Sequence, residues 1–419
     1  MSELTVFCTT YNTGLQGSLA QEQDLASWLI PVLHETTQEN YNQLPDIYAI
    51  GVEELLPLHL ACELPILFRQ LTSVAGLSFG VLVALTDRIE SILSAHATSI
   101  SPGREPERFR LVSRTSRVGV ALWVFAREKT TQGRLGKAVT SSVGLWRLGL
   151  GNKSALRNEQ YNTILSSLIF YPGDALAHPV QPFQTSHLFI MGDLNYRLTK
   201  LPKAGVYPTE NGATKDLIAL EREREALVSL DTLKHEQNLG NVFGGMREGD
   251  LTRFAPTYKR VVGQVEGYSK KRIPGWTDRI LFASHTDPAE LYSPNAPETP
   301  SSTTQITQFN SAPELTISDH KPVYMVVTLP PVRHNAASPS LAPVLPPPPP
   351  PSRPRPAARP REELIFWDIV GSVLDRLIGW PWTLLVLLGF GNEKAGMGVS
   401  AFLTLIWGVW WSGVFSGSA

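Results

Sequence analysis

The chain has 419 residues, 42% of them hydrophobic, and a formal net charge of -1. That length suits two or three average domains, or one large domain with extensions, and the balanced charge argues against a non-specific DNA binder. Cysteine occurs only at Cys8 and Cys62, which excludes a disulfide framework or a Cys-rich zinc site and fits a reducing, cytosol-facing compartment.

The first residues lack a basic segment followed by a long apolar one, so no secretory signal is expected. Leu4 to Thr10 alternates as a strand and runs into Tyr11-Asn12-Thr13-Gly14. Leu25, Trp28, Leu29, Val32 and Leu33 recur at helical spacing over Leu25 to Leu33. Asp46 to Val52 is a second apolar strand, ending at Glu53-Glu54. Adjacent strand residues point to opposite faces, so at most one of these two acids can face a given site. Leu82 to Ala95 reads as a helix, and Val118 to Phe125 as a strand. A loop with Gly149, Gly151, Asn152 and Lys153 precedes a helical stretch from Arg157 to Phe170.

The stretch from Ser186 to Leu198 organises the rest. Leu188 to Met191 reads as a buried strand, broken at Gly192 and followed by Asp193 and Asn195. Residues i and i+2 of a strand share a side, so a carboxylate and an amide are expected to emerge together. Such a pair suits holding and activating a water near a metal or a phosphate; the plainer alternative is an Asp/Asn turn. Asp216 to Leu230 reads as a charged surface helix. Phe254 to Lys259 starts a rigid loop, Lys270-Lys271-Arg272 leads into Pro274 to Leu281, and Ser318 to Val323 opens a strand to Leu329. Strands, intervening helices and polar strand ends indicate a mixed α/β domain whose site lies at one rim of packed sheets.

Composition changes after this domain. Pro346 to Pro351 is an unbroken proline run within a segment rich in Pro, Ala, Ser and Arg. Residues 331–363 are expected to form an extended, disordered linker, and the proline run could dock an SH3-like, aromatic-lined groove. Residues 364–419 form a hydrophobic tail. Leu377 to Phe390 is short and interrupted by Pro381, whereas Ala395 to Phe415 carries no charge and is long enough for one bilayer crossing. Arg353, Arg355, Arg359 and Arg361 precede it and favour a cytosolic linker. The expectation is a membrane-anchored protein, on the endoplasmic reticulum or another endomembrane, with its catalytic domain in the cytosol.

Polar groups gather at strand ends: Asn12, Glu54, Asp193, Asn195, Asp278, Asp319 and His320. A hard cation needs one or two carboxylates plus an amide oxygen and water, and a phosphate ester needs charge neutralisation and a positioned water. On the motifs Thr10-Tyr-Asn12, Asp46 to Glu54, Gly151-Asn-Lys153, Gly192-Asp-Leu-Asn-Tyr-Arg197, Pro256-Thr-Tyr-Lys259, Pro274 to Leu281 and Ser318 to Val323, the chain resembles the inositol polyphosphate 5-phosphatases of the endonuclease/exonuclease/phosphatase superfamily. The resemblance spans roughly residues 3 to 330, and the motif order is the family's.

The resemblance implies a two-sheet sandwich flanked by helices over residues 1–330, one Mg²⁺, and hydrolysis of the 5-phosphate of a phosphoinositide lipid or soluble inositol phosphate. It casts Glu54 as principal metal ligand, assisted by Asn12. Asp193 would orient or deprotonate the attacking water, with Asn195 as a phosphate or water contact. His320, supported by Asp319, would stabilise the transition state, and Asp278 belongs to the same catalytic set. Tyr258, Lys259, Lys270 and Arg272 match cationic contacts to a neighbouring ring phosphate; otherwise Lys270 to Arg272 is a solvated charge run.

Two departures stand out. Glu53 occupies a position where the resembled family usually has Gln, an extra carboxylate that either raises metal affinity or faces solvent. The family also has an Asn-Ser-His-Leu-Ala-Ala-His strand segment between its Gly-Asn-Lys and Arg-Asn motifs, whereas this chain passes from Ala155 almost directly to Arg157-Asn158. The expected consequences are a weakened core, unpaired strand edges and impaired activity. The competing readings are a superfamily nuclease, which the near-neutral charge and hydrophobic tail oppose, and a non-catalytic, membrane-tethered phosphoinositide binder.

Overall fold

The computed structural model describes residues 3–19, 23–39, 43–56, 77–103, 105–117, 119–140, 158, 161–162, 164–165, 168–170, 179–200, 217–287 and 304–330. The Gly151-Asn-Lys153 motif, the Ala155–Arg157 junction, the proline run and the hydrophobic tail lie outside them. Among the described residues no helix is long and apolar enough to cross a membrane.

Among the described residues eight strands form two sheets: β1 (Leu4–Asn12), β2 (Ile47–Glu53), β3 (Phe109–Arg117), β4 (Val120–Arg127), β5 (His187–Asp193), β6 (Asp278–Ser284), β7 (Gln305–Ser311) and β8 (Val323–Leu329). Six make a mixed sheet in the order β3-β4-β2-β1-β8-β7, and β5 pairs with β6 in the second. β1 runs parallel to β2 and antiparallel to β8. Asn12 and Glu53 are therefore side by side where β1 and β2 finish.

Side-chain alternation separates the layers. On β1, Phe7 and Tyr11 pack against the helices α1 (Leu29–Glu39) and α2 (Leu77–Ile100), through Leu29, Val32, Leu33, Ile89 and Leu93. Val6 and Cys8 point the other way, into a core between the sheets shared with Ile280, Phe282, Met325 and Val327. The outer face of the second sheet, with Leu281 and Ala283, packs against Phe243 and Leu233 of α4 (Thr232–Asn238), while Leu227 of α3 (Leu217–Val228) joins the inter-sheet core. The result is a sandwich of helices, sheet, sheet and helix, as the strand pattern implies.

Two expectations need correction. Regular helix starts only at Leu29, although Leu25 and Trp28 still enter the same core from the preceding turns. The strand Leu188 to Met191 is half-buried rather than buried, whereas its partner β6 is buried throughout. The physical reason is one-sided pairing: among the described residues β5 bonds only to β6, and edge strands keep solvent access.

Candidate functional site

The alternation that builds the inter-sheet core also builds a polar rim. Even-numbered residues of β1 face the second sheet, so Thr10 and Asn12 follow Val6 and Cys8 to that side. On β2 the inward residues are odd, Ile47 and Ala49, which sends Glu53 inward. β5 turns Phe189 and Met191 inward and ends in Asp193; β6 turns Ile280 and Phe282 inward and begins with Asp278. Asp193 and Asp278 are register partners across that pair. Four strand ends thus deliver Asn12, Glu53, Asp193 and Asp278 into one space.

Hydrogen bonds fix each group. Asn12 Nδ2 donates to Asp193 Oδ2 at 3.0 Å, and the Asn195 backbone N–H donates to Asp193 Oδ1 at 2.9 Å. Ser318 Oγ donates to the Asn12 carbonyl at 2.7 Å, and His320 N–H donates to Ser318 Oγ at 3.2 Å, tying the loop before β8 to the end of β1. Asp278 Oδ2 accepts from Thr257 Oγ1 at 2.7 Å and Thr277 Oγ1 at 2.9 Å. His320 Nδ1 lies 3.0 Å from the same oxygen. The His320 ring stacks obliquely on Tyr258, with centroids 4.5 Å apart. Arg197 lies over the Tyr258 ring, 4.7 Å from its centroid, and Lys259 Nζ is 5.4 Å from the same centroid.

These contacts revise the sequence expectations in two places. The carboxylate against the His320 ring is Asp278, not its sequence neighbour Asp319, which instead accepts from Lys259 Nζ at 2.6 Å. Asn195 does not share a strand face with Asp193, because β5 ends at Asp193 and Asn195 takes a positive φ of 59°. Its backbone N–H, donated to Asp193, joins it to the site. Glu54 follows the end of β2 with a positive φ of 47° and is partly exposed, and its carbonyl accepts from Thr13 Oγ1 at 2.8 Å. Lys270 and Arg272 are exposed on the loop that returns to Gly275.

Charge follows burial. Burial, reinforced by Asp278, pushes Asp193 above the usual carboxylate range despite its bonds from Asn12 and Asn195. Burial also pushes Glu53 up to about 8, with Asp278 and Asp193 adding to the effect and Thr10 and His320 opposing it. For His320, burial opposes the charged ring, but Asp278 overcomes it and the net shift is upward. Lys259 is held above the usual lysine range mainly by its hydrogen bond to Asp319.

The donor chemistry fits a hard cation. Asn12, Glu53, Glu54 and Asp193 offer only oxygens as ligands, and Glu53 Oε2 is shut off from solvent without a hydrogen-bond partner. Among the described residues no group of three or more His, Cys, Asp or Glu side chains is arranged to hold a metal by itself. A bound ion would keep water in its shell, the habit of Mg²⁺.

Thr10, Arg197, Thr257, Thr277 and Ser318 join the site without having been singled out as functional, and of the two alternatives for Glu53 the structure turns it towards the site. Most sit inside quoted motifs, but nothing local shows that Thr257 and Thr277 meet at one carboxylate. Gly192 is a further structural requirement: its φ is +140°, and a Cβ there would stand 3.0 Å from Glu53 Oε1. Gly192→Ala is expected to cost about 1–3 kcal/mol, measured by urea unfolding; an unchanged midpoint would contradict that close approach.

A family model described as endonuclease/exonuclease/phosphatase family 2 matches residues 9–157 and 147–326. The two matches meet over the stretch that contains the Ala155–Arg157 junction. A type II inositol polyphosphate 5-phosphatase 15 from Arabidopsis thaliana is 37% identical over 147 residues, covering 34% of this chain and 12% of that protein. Synaptojanin from Caenorhabditis elegans is 26% identical over 333 residues, covering 72% of this chain and 25% of that protein. The chain therefore matches a quarter or less of the length of either relative. Among solved structures, the inositol polyphosphate 5-phosphatase domain of spsynaptojanin, in complex with inositol (1,4)-bisphosphate and a calcium ion, aligns with TM-score 0.48 and 20% identity, covering 78% of this chain and 84% of that one.

Proposed function

The chain belongs to the endonuclease/exonuclease/phosphatase family 2, and on that premise we propose that it hydrolyses the 5-phosphate of phosphoinositides or soluble inositol polyphosphates with the help of Mg²⁺. The observation that carries this reading is the convergence of Asn12, Asp193, Asp278 and His320 at one rim of the sandwich. The named activities of the relatives support the choice of substrate.

Each residue has work suited to its surroundings. Asp193, fixed by Asn12 and Asn195 and with a raised affinity for protons, is placed to orient the attacking water and take its proton. His320, whose charged form Asp278 favours, would donate towards the phosphoryl oxygens as negative charge develops. Arg197, Lys259 and Tyr258 line a cationic wall suited to a second ring phosphate, with Lys270 and Arg272 on the exposed loop beyond. A divalent ion held by Glu54 and Asn12 would neutralise charge on the phosphate oxygens.

Turnover is expected to be low. The segment with the family's Asn-Ser-His-Leu motif is absent from the sequence, and the half-buried β5 is consistent with a second sheet short of a neighbour. That same observation favours a second reading, a membrane-tethered phosphoinositide binder with little catalysis. The tail 364–419 would hold the domain on the cytosolic side of an endomembrane in either case.

The deciding assay is phosphate release by the purified chain from a 5-phosphorylated inositol lipid and from a soluble inositol phosphate, with Mg²⁺ and then with EDTA. Slow release that EDTA abolishes supports the hydrolase. Binding without release establishes the second reading, and preferential cleavage of DNA would replace both with a nuclease.

A further inference from the structure

Glu53 is the one carboxylate of the rim that the proposed chemistry leaves unused. It faces inward by strand alternation and lies beside Asn12 in the parallel register. Its Oε1 accepts from Thr10 Oγ1 at 2.8 Å. Its Oε2 is buried and meets no hydrogen-bond partner among the described residues. Asp193 and Asp278 are near enough to repel it, and the His320 ring opposes them.

Two additions could relieve this, a proton or a cation. A proton on Oε2 would become a donor where no acceptor stands, exchanging one unmet group for another. A divalent ion meets both needs, since it binds carboxylate oxygen directly and cancels the surplus charge. We propose that Glu53 is itself a ligand of the site's divalent cation, binding it from the β2 end alongside Asn12. The inference rests on the reading of this rim as a cation site and adds a ligand to it.

The test is Glu53→Gln in the full chain, which keeps shape and removes charge. Binding of Mg²⁺ and Mn²⁺, added as chlorides, is measured by calorimetry, and thermal unfolding is followed with and without the ion. Glu53→Gln is expected to weaken binding at least about tenfold, to shrink the stabilisation that the ion confers, and to leave the ion-free melting temperature unchanged or higher. Unaltered affinity overturns the assignment. So does an equal loss of melting temperature with and without ion, because that marks a packing role. A wild-type chain that binds neither ion overturns this inference and the cation-dependent hydrolase together. Weakened binding in the variant of a chain that releases no phosphate sustains the ligand and defeats only the hydrolase.

Discussion

Replacing Asp278 by asparagine is expected to lower the titration midpoint of His320 below that of an ordinary histidine and to cut phosphate release about 10²–10⁴-fold. The ring is 5% exposed, and burial by itself disfavours its charged form. Asp278 reverses that preference, with smaller help from Asp193 and Asp319. An amide of the same shape still accepts from Thr257 and Thr277, so the loop geometry is retained while the counter-charge is lost. The sign can be checked in the stability as well. Because the folded value for His320 lies above the unfolded one, the pair stabilises the protein fully below the ordinary histidine value. That stability is lost as pH rises through the folded value, and Asp278→Asn should abolish the slope. Titration of the His320 ring by NMR reads the effect without any need for turnover. A midpoint that stays raised in the variant would mean that Asp278 is not the group holding the proton.

The pairing of Asp278 with His320 also marks where sequence reasoning reaches its limit. Alternation in β1 and apolar runs in β2, β4, β5 and β8 are readable, because these strands send apolar side chains into a core on one face or on both. β3 and β7 flank the six-stranded sheet and mix Arg, Ser, Thr, Gln and Asn into the pattern, so hydropathy did not single them out. β6 was hidden for another reason: it opens with Asp278 and Arg279, charged residues that are buried and paired rather than solvated. At the site, the quoted motifs meet at one rim, yet adjacency in the chain does not give the couples. Asp319 is next to His320 in the chain, but His320 meets a carboxylate 42 positions away and Asp319 meets a lysine 60 positions away. The choice between Glu53 and Glu54 shows the same limit. Strand parity selects Glu53 only once the inward face of β2 is known, and that face is set by packing against β5 rather than by its own residues.

Arg279→Met is expected to destabilise the fold by about 3–5 kcal/mol, because it strands two carboxylates in a dry interior. The guanidinium is fully buried, donating to Asp231 Oδ1 at 3.0 Å and to both oxygens of Glu248. Lys234, whose Nζ is 2.8 Å from Glu248, cannot replace it, since a partly exposed ammonium supplies neither the fork nor contact with both acids. Asp231 has a second duty that ties the network to local structure: its Oδ1 caps α4 by accepting from the Lys234 backbone N–H at 2.9 Å. Loss of Arg279 therefore strains a helix start as well as the strand that begins with Asp278. For Glu248, burial favours the neutral acid, but Arg279 and then Lys234 prevail and hold it at about 2. A depressed folded value means that this stability is present above an ordinary glutamate's range and is lost as pH falls towards about 2. Wild-type unfolding free energy should thus decline steeply with acid below pH of about 4.5, and Arg279→Met should flatten that part of the curve while lowering the plateau at neutral pH. The double variant Arg279→Met, Glu248→Met should recover part of the loss, beyond what the separate changes add up to, because the stranded charge is removed with its partner. Urea unfolding of the three proteins between pH 3 and 7 measures both effects. Strict additivity, or an acid slope that survives without Arg279, would show that the buried cation is not what keeps Glu248 ionised.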